Sequence, residues 1–124
     1  MSYEQLGLSI SGETYLDYTG YSVSISSEGT ILAIGSTGDD YGGTDSGSVS
    51  IFQYTNNSWS QIGSTIDGKA AGDYSGYSVS LSSDGTIVAI GAYGNDENGA
   101  DSGHASIFQY TNNDWYQLGS DIDG

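Results

Sequence analysis

The sequence predicts an all-β chain made of two consecutive four-stranded units, preceded by the tail of a third. Three observations carry this. "GYSVSISSEGTILAIGS" at 20–36 returns as "GYSVSLSSDGTIVAIGA" at 76–92. Shifted by 56 residues, 13–68 aligns with 69–124 without a gap, and 36 of the 56 positions are identical. Apolar residues recur at period two or in short runs bounded by Gly and Asn, and helical spacing is missing. Internal repetition on this scale means a solenoid, a propeller or an array.

The elements follow in order. "YEQLGLSISG" (3–12) echoes "WSQIGSTIDG" (59–68) and "WYQLGSDIDG" (115–124), so 1–12 reads as the end of a preceding repeat, its outer strand. The first full unit is 13–68 and the second 69–124. "YSVSIS" (21–26) alternates apolar and small polar residues, as a half-buried strand does. "SEGT" (27–30), or "SDGT" (83–86), supplies a glycine turn. "TILAIGS" (30–36) is a continuous apolar run, which predicts a strand buried on both faces. A Gly- and Asp-rich loop (37–46) leads to a third strand, "GSVSIFQYT" (47–55). Asn56 and Asn57 suit a two-residue hairpin, because Asn tolerates the positive φ of a type I′ turn. "SWSQIGSTI" (58–66) is the fourth strand, and 67–76 crosses to the next unit. Four antiparallel strands in series, with inner strands buried on both faces, is the pattern of a β-propeller blade. A β-sandwich of nine strands is the other arrangement. Near-identical units argue against it, since a sandwich would place two copies of one sequence in different surroundings.

Composition narrows the function. Sixteen acidic residues face one basic residue, Lys69, for a net charge of -15. Such a chain repels nucleic acid and anionic membrane surfaces, and also copies of itself. Salt, bound cations or a large folded interface must offset the self-repulsion. Without cysteine there is no disulfide framework. No run reaches the ~18 apolar residues of a membrane helix. "MSYEQLGLSI" has neither the basic start nor the apolar core of a signal peptide.

The residues "SGYSVS" (75–80), "DGTIVAIGA" (84–92) and "DSGHASIFQY" (101–110), with "TGYSVS" (19–24), "GST" (35–37) and "DSGSVSIFQY" (45–54), resemble the FG-GAP repeat. That repeat is the blade of the integrin alpha-chain propeller. Asp17 and Asp73 before the first strands are similar to that family's pattern too, and the resemblance covers the whole chain. It implies an extracellular setting, adhesion or glycan binding, and calcium support. The chain departs from the family at the loop between strands one and two. There "SSEG" and "SSDG" are too short to wrap a cation, so the family's calcium ligands do not carry over. "SSDGTIVAIGA" also resembles a WD-repeat blade, but the His and Trp-Asp signatures are missing and the period differs.

Two blades do not close a ring of ~4–8. Their outer faces of Val, Ile, Leu, Phe and Tyr would stand in water, and patches of that size mark interfaces. The expectation is self-association: three chains give six blades, four give eight. Residues 3–10 would then compete with 115–122 for the edge of a neighbour's blade.

Candidate sites are few. The loop 38–47 holds Asp39, Asp40 and Asp45; its partner 94–103 holds Asn95, Asp96, Glu97, Asn98 and Asp101. The second has the oxygen inventory Ca2+ wants, although its spacing is not that of an EF-hand; turn geometry alone also selects Asp and Asn. Asp17 and Asp73 would ring one mouth of an axial channel, or serve their own turns. Trp59, Trp115, Tyr54 and Tyr110 recur on each blade, which points to packing. Tyr93, Tyr41 and Tyr116 break the repeat, and Tyr93 is the foremost ligand contact. His104, aligned with Ser48, is the only histidine and reads as structural; Lys69, aligned with Glu13, reads as a solvated loop residue. The reading is a non-catalytic propeller module that self-assembles into a ring of six or eight blades or is a piece of a larger propeller, and that presents loops to a glycan or protein ligand with calcium support. Its alternatives are an enzyme with carboxylates at the ring mouth, or a purely structural or engineered assembly unit.

Overall fold

A computed structural model describes residues 3–12, 16–40, 43–94 and 103–123. They form two antiparallel sheets, and no helix occurs among them. The first sheet holds β1 (Thr19–Ile25), β2 (Ile31–Ser36), β3 (Ser48–Thr55) and β4 (Ser58–Gln61), in that order, with β5 (Ile66–Asp67) returning to the start of β3. The second repeats the plan with β6 (Ser75–Leu81), β7 (Ile87–Ala92), β8 (His104–Thr111), β9 (Asp114–Gln117) and β10 (Ile122–Asp123). These are two propeller blades.

Local chemistry explains the turns. Asn56 and Asn57 adopt φ of 52° and 66°, and Asn112 and Asn113 adopt 52° and 67°, as the type I′ hairpin requires. In the β6–β7 turn, Asp84 Oδ1 accepts from the Thr86 N–H at 3.1 Å and from the Ser82 and Thr86 hydroxyls at 2.8 Å. The Thr86 bonds foremost hold its carboxyl below the ordinary carboxylate range. The predicted fourth strand is interrupted. Ile62 donates to Ile51 O, Gly63 takes φ of +70°, and the chain re-enters the sheet only at β5. This bend lets Trp115 of the second blade reach the first. A Cβ on Gly63 would lie 2.6 Å from Trp115 Cδ1.

The core lies between the blades. Ile31, Ala33, Val49 and Ile51 of the first blade pack against Val88, Ile90 and Trp115 of the second. Ala33 pairs with Ile51 and Gly35 with Val49, so these residues share one sheet face. Backbone approach there is close: a Cβ on Gly35 would sit 2.1 Å from the Gly76 carbonyl oxygen. Polar groups tie the inner strands. Ser22 Oγ donates to Gly76 O at 2.6 Å, the Leu81 N–H donates to Ser24 Oγ at 3.0 Å, and the Ser75 N–H donates to Ser46 O at 2.8 Å.

Residues 3–12 form no strand. The segment still makes a blade-like contact. Trp59 Nε1 donates to Leu6 O at 2.9 Å, as Trp115 Nε1 donates to Ile62 O at 3.0 Å. Leu6 and Ile62 are equivalent by the 56-residue shift. The tail thus stands in for a piece of a preceding blade.

Candidate functional site

Each end of the blade pair is more exposed than its counterpart between the blades. In β2 the apolar run is buried on both faces almost throughout, as expected. In β7 burial alternates, because only one face meets a blade. Ile87, Ala89, Gly91, Ala105 and Ile107 are half-buried, whereas their counterparts Ile31, Ala33, Gly35, Val49 and Ile51 are buried. At the other end, Val23 and Ile25 are 60% and 55% exposed. Their counterparts Val79 and Leu81 pack on the core. Beside them, under residues 10–12, is a cavity of about 390 Å³ lined by Ile34, Ser50, Phe52, Asp17, Asp39 and Asp67 among others. The equivalent face of the second blade, with Ile90 and Ser106 buried, is the one that meets the first blade. In this cavity burial, then the charge of Asp39, pushes the Asp67 carboxyl above its ordinary range.

Tyrosines gather beside the inner strands. Tyr93 stacks on Tyr74 with centroids 5.3 Å apart and meets Tyr77 edge-on at 4.4 Å. Tyr77 reaches Tyr21 of the first blade at 5.2 Å. Tyr93 remains half exposed, as do Tyr21, Tyr77 and, on β9, Tyr116. Exposed phenol faces of this kind stack on apolar ring surfaces while their hydroxyls hydrogen-bond. The hydrogen bond to Tyr77 foremost raises the Tyr21 hydroxyl above the ordinary tyrosine range.

Asn95, Asp96, Glu97, Asn98, Asp101 and Tyr41 lie outside the described residues. Of the first loop, Asp40 Oδ1 accepts the Asp45 N–H at 2.8 Å, closing the loop on itself, and Asp45 takes φ of 55°. Asp39 turns toward the cavity instead. Asp17 and Asp73 are both buried, at 6% and 3% exposure. Asp73 accepts the Ala70 N–H at 3.2 Å within its own turn. The Gly38 and Gly94 N–H groups donate to the backbone carbonyls of Asp17 and Asp73, so both residues anchor the same turn in each blade.

A second cluster was hidden from the sequence reading. Asp123 stands directly opposite His104 in the β8–β10 ladder. One ligand atom each from His104, Asp121 and Asp123 falls within a 4.8 Å span, the group of this kind found among the described residues. Lys69 Nζ donates to Asp121 Oδ2 at 2.5 Å, and Gln117 Nε2 to Asp121 Oδ1 at 2.6 Å. Burial opposes ionisation of Asp121, but these bonds, with His104 and Lys69 nearby, leave its carboxyl below the ordinary range. The signal in the sequence was that His104, Asp121 and Lys69 all break the repeat, replacing Ser48, Thr65 and Glu13.

Asp114 joins the blades from outside. Its Oδ1 accepts the Ser64 N–H at 2.8 Å and the Trp115 N–H at 2.9 Å. The Ser64 bond foremost lowers its carboxyl below the ordinary range. A lowered folded pKa contributes stability above the unfolded value, and that contribution is lost as pH falls through the folded one. Asp114→Ser, the residue at position 58, is therefore expected to lower the melting temperature at neutral pH and to narrow its gap to the parent in acid. Melting curves across the acid range check this.

Repeated four-stranded antiparallel blades define a propeller-type repeat protein. The FG-GAP repeat family matches residues 8–52 and 64–108, and the chain belongs to that family. No curated protein matches the chain.

Proposed function

We propose that the chain is a non-catalytic propeller module that closes a ring with copies of itself and displays the tyrosine-lined side of its inner strands to a glycan or protein ligand. The observation that supports this best is the half-buried face of Ile87, Ala89, Ala105 and Ile107, whose counterpart in the first blade is fully covered by the second. The end of one copy would repeat toward the next copy the packing its own blades already make. The Val23–Ile25 end would receive it, in competition with the tail at 3–12. Three copies give six blades and four give eight, within the range that closes.

The test is light scattering after gel filtration, with an expected mass of three or four times 12.9 kDa. A mass of 12.9 kDa at all concentrations and salts would overturn the ring. Because each copy brings a charge of -15, assembly is expected to strengthen with added salt, which screens repulsion over the ~10 Å Debye length at 0.1 M. A glycan array with added calcium tests the binding part. In this reading Asn95, Asp96, Asn98 and Asp101, with Asp39, Asp40 and Asp45, are the places for calcium. Tyr93 is the first ligand contact to mutate, and Asp17 and Asp73 ring the axis. The setting is extracellular, with neither nucleic acid nor membrane as partner.

A further inference from the structure

We propose that His104, Asp121 and Asp123 form a binding site for one divalent transition-metal ion of the zinc class. The site is independent of ring closure, because all three ligands come from the second blade of one chain.

The imidazole carries the argument. The His104 side chain is 5% exposed, and its Nδ1 is buried with no hydrogen-bond partner among the described residues. A buried ring nitrogen without a partner costs free energy comparable to a lost hydrogen bond, so its lone pair or its proton needs a ligand. Nδ1 lies 3.9 Å from Asp121 Oδ2, which is itself on a side chain 9% exposed. The third donor, Asp123, shares the ladder rung of His104. An ion about 2.0–2.2 Å from imidazole nitrogen and carboxylate oxygen fits among donors spread over 4.8 Å after small side-chain adjustments. One nitrogen and two carboxylate oxygens suit Zn2+ better than Ca2+, which takes oxygen donors.

Neighbours fit the same role. Gln117 donates to the other oxygen of Asp121 and holds the carboxylate in place, as outer groups around metal ligands do. Lys69 now supplies a positive charge to Asp121 Oδ2 and would be displaced. It is 47% exposed, so its ammonium can swing into water. At the matching place the first blade has Ser48 and Thr65 beside Asp67. The set therefore arises where the repeats diverge, and one ion per chain is expected.

The test uses the full, untagged chain stripped of metal with a chelator. Calorimetric titration with Zn2+ should give one site per chain. A ~100-fold excess of Zn2+ over Kd should raise the melting temperature by several degrees. With a single histidine, the long-range 1H–15N spectrum is unambiguous, and Zn2+ should shift the His104 Nδ1 resonance. His104→Ser restores the residue of the first blade. It should fold, shown by an unchanged melting curve without metal, and lose the site. If His104→Ser fails to fold, Asp121→Asn and the histidine spectrum of the parent decide. Lys69→Ala should bind several-fold more tightly, because a competing cation is gone. No zinc binding, an unshifted histidine, or equal binding by His104→Ser would overturn the site. So would Ca2+ binding as tightly as Zn2+, which would put the cation among oxygen donors alone.

Discussion

Gly35→Ala should unfold or severely loosen the chain, while Gly91→Ala should leave each chain folded and abolish the proposed assembly between copies. The two glycines are equivalent by the 56-residue shift. A Cβ on Gly35 meets the Gly76 carbonyl oxygen at 2.1 Å, a backbone atom of the next blade. That contact, with a backbone atom, is relieved only by shifting the blades apart, and overpacking costs about 1–3 kcal/mol, occasionally more. Domain stabilities of about 5–15 kcal/mol make such a loss severe. A Cβ on Gly91 meets Ser78 Oγ at 2.5 Å, the rotatable end of an exposed side chain. Its place against a neighbouring blade would be filled by Gly20 of the next copy, just as Gly35 is filled by Gly76. Around Gly20 a Cβ would find nothing within 4 Å in this chain. Circular dichroism and light scattering on both variants read the difference. If the parent proves multimeric, a Gly91→Ala chain of the same mass would overturn the proposed packing between copies.

Trp115→Ala should cost about 3–5 kcal/mol, the range for emptying a large buried aromatic site. Trp115 is 7% exposed, belongs to the inter-blade core, packs on Tyr110 at 5.1 Å and donates to Ile62 O. Trp59 makes the matching contacts with Tyr54 and Leu6, yet it covers only the tail and stays half-buried. Trp59→Ala should therefore cost clearly less in the isolated chain. Paired urea titrations measure the gap. Equal losses would mean that residues 3–12 bury Trp59 as fully as a whole blade buries Trp115.

The repeat period, the strand order and the hairpins were legible because each is local. Period-two alternation placed β1 and β6, and the Asn pairs placed the type I′ turns. The continuous apolar run marked β2 as buried on both sides. The break between β4 and β5 was not legible. It serves the Trp of the next blade, and no property of "QIGSTI" alone announces a partner that is distant in sequence. The gathering of Tyr21, Tyr74, Tyr77 and Tyr93 likewise joins two blades. Tyr93 was marked by its break of the repeat, but its stacking partners were not.

The sequence by itself determined the family, the two-blade plan and the excess of negative charge, since these follow from periodicity, turn residues and composition. Only the tertiary structure decided which face of each blade is left open, and that His104 lies beside Asp121 and Asp123. Both depend on packing between segments distant in the chain. Two nearly identical strands, β2 and β7, differ in burial because β2 has the second blade on one face and residues 10–12 near the other, whereas β7 has a blade on one face alone.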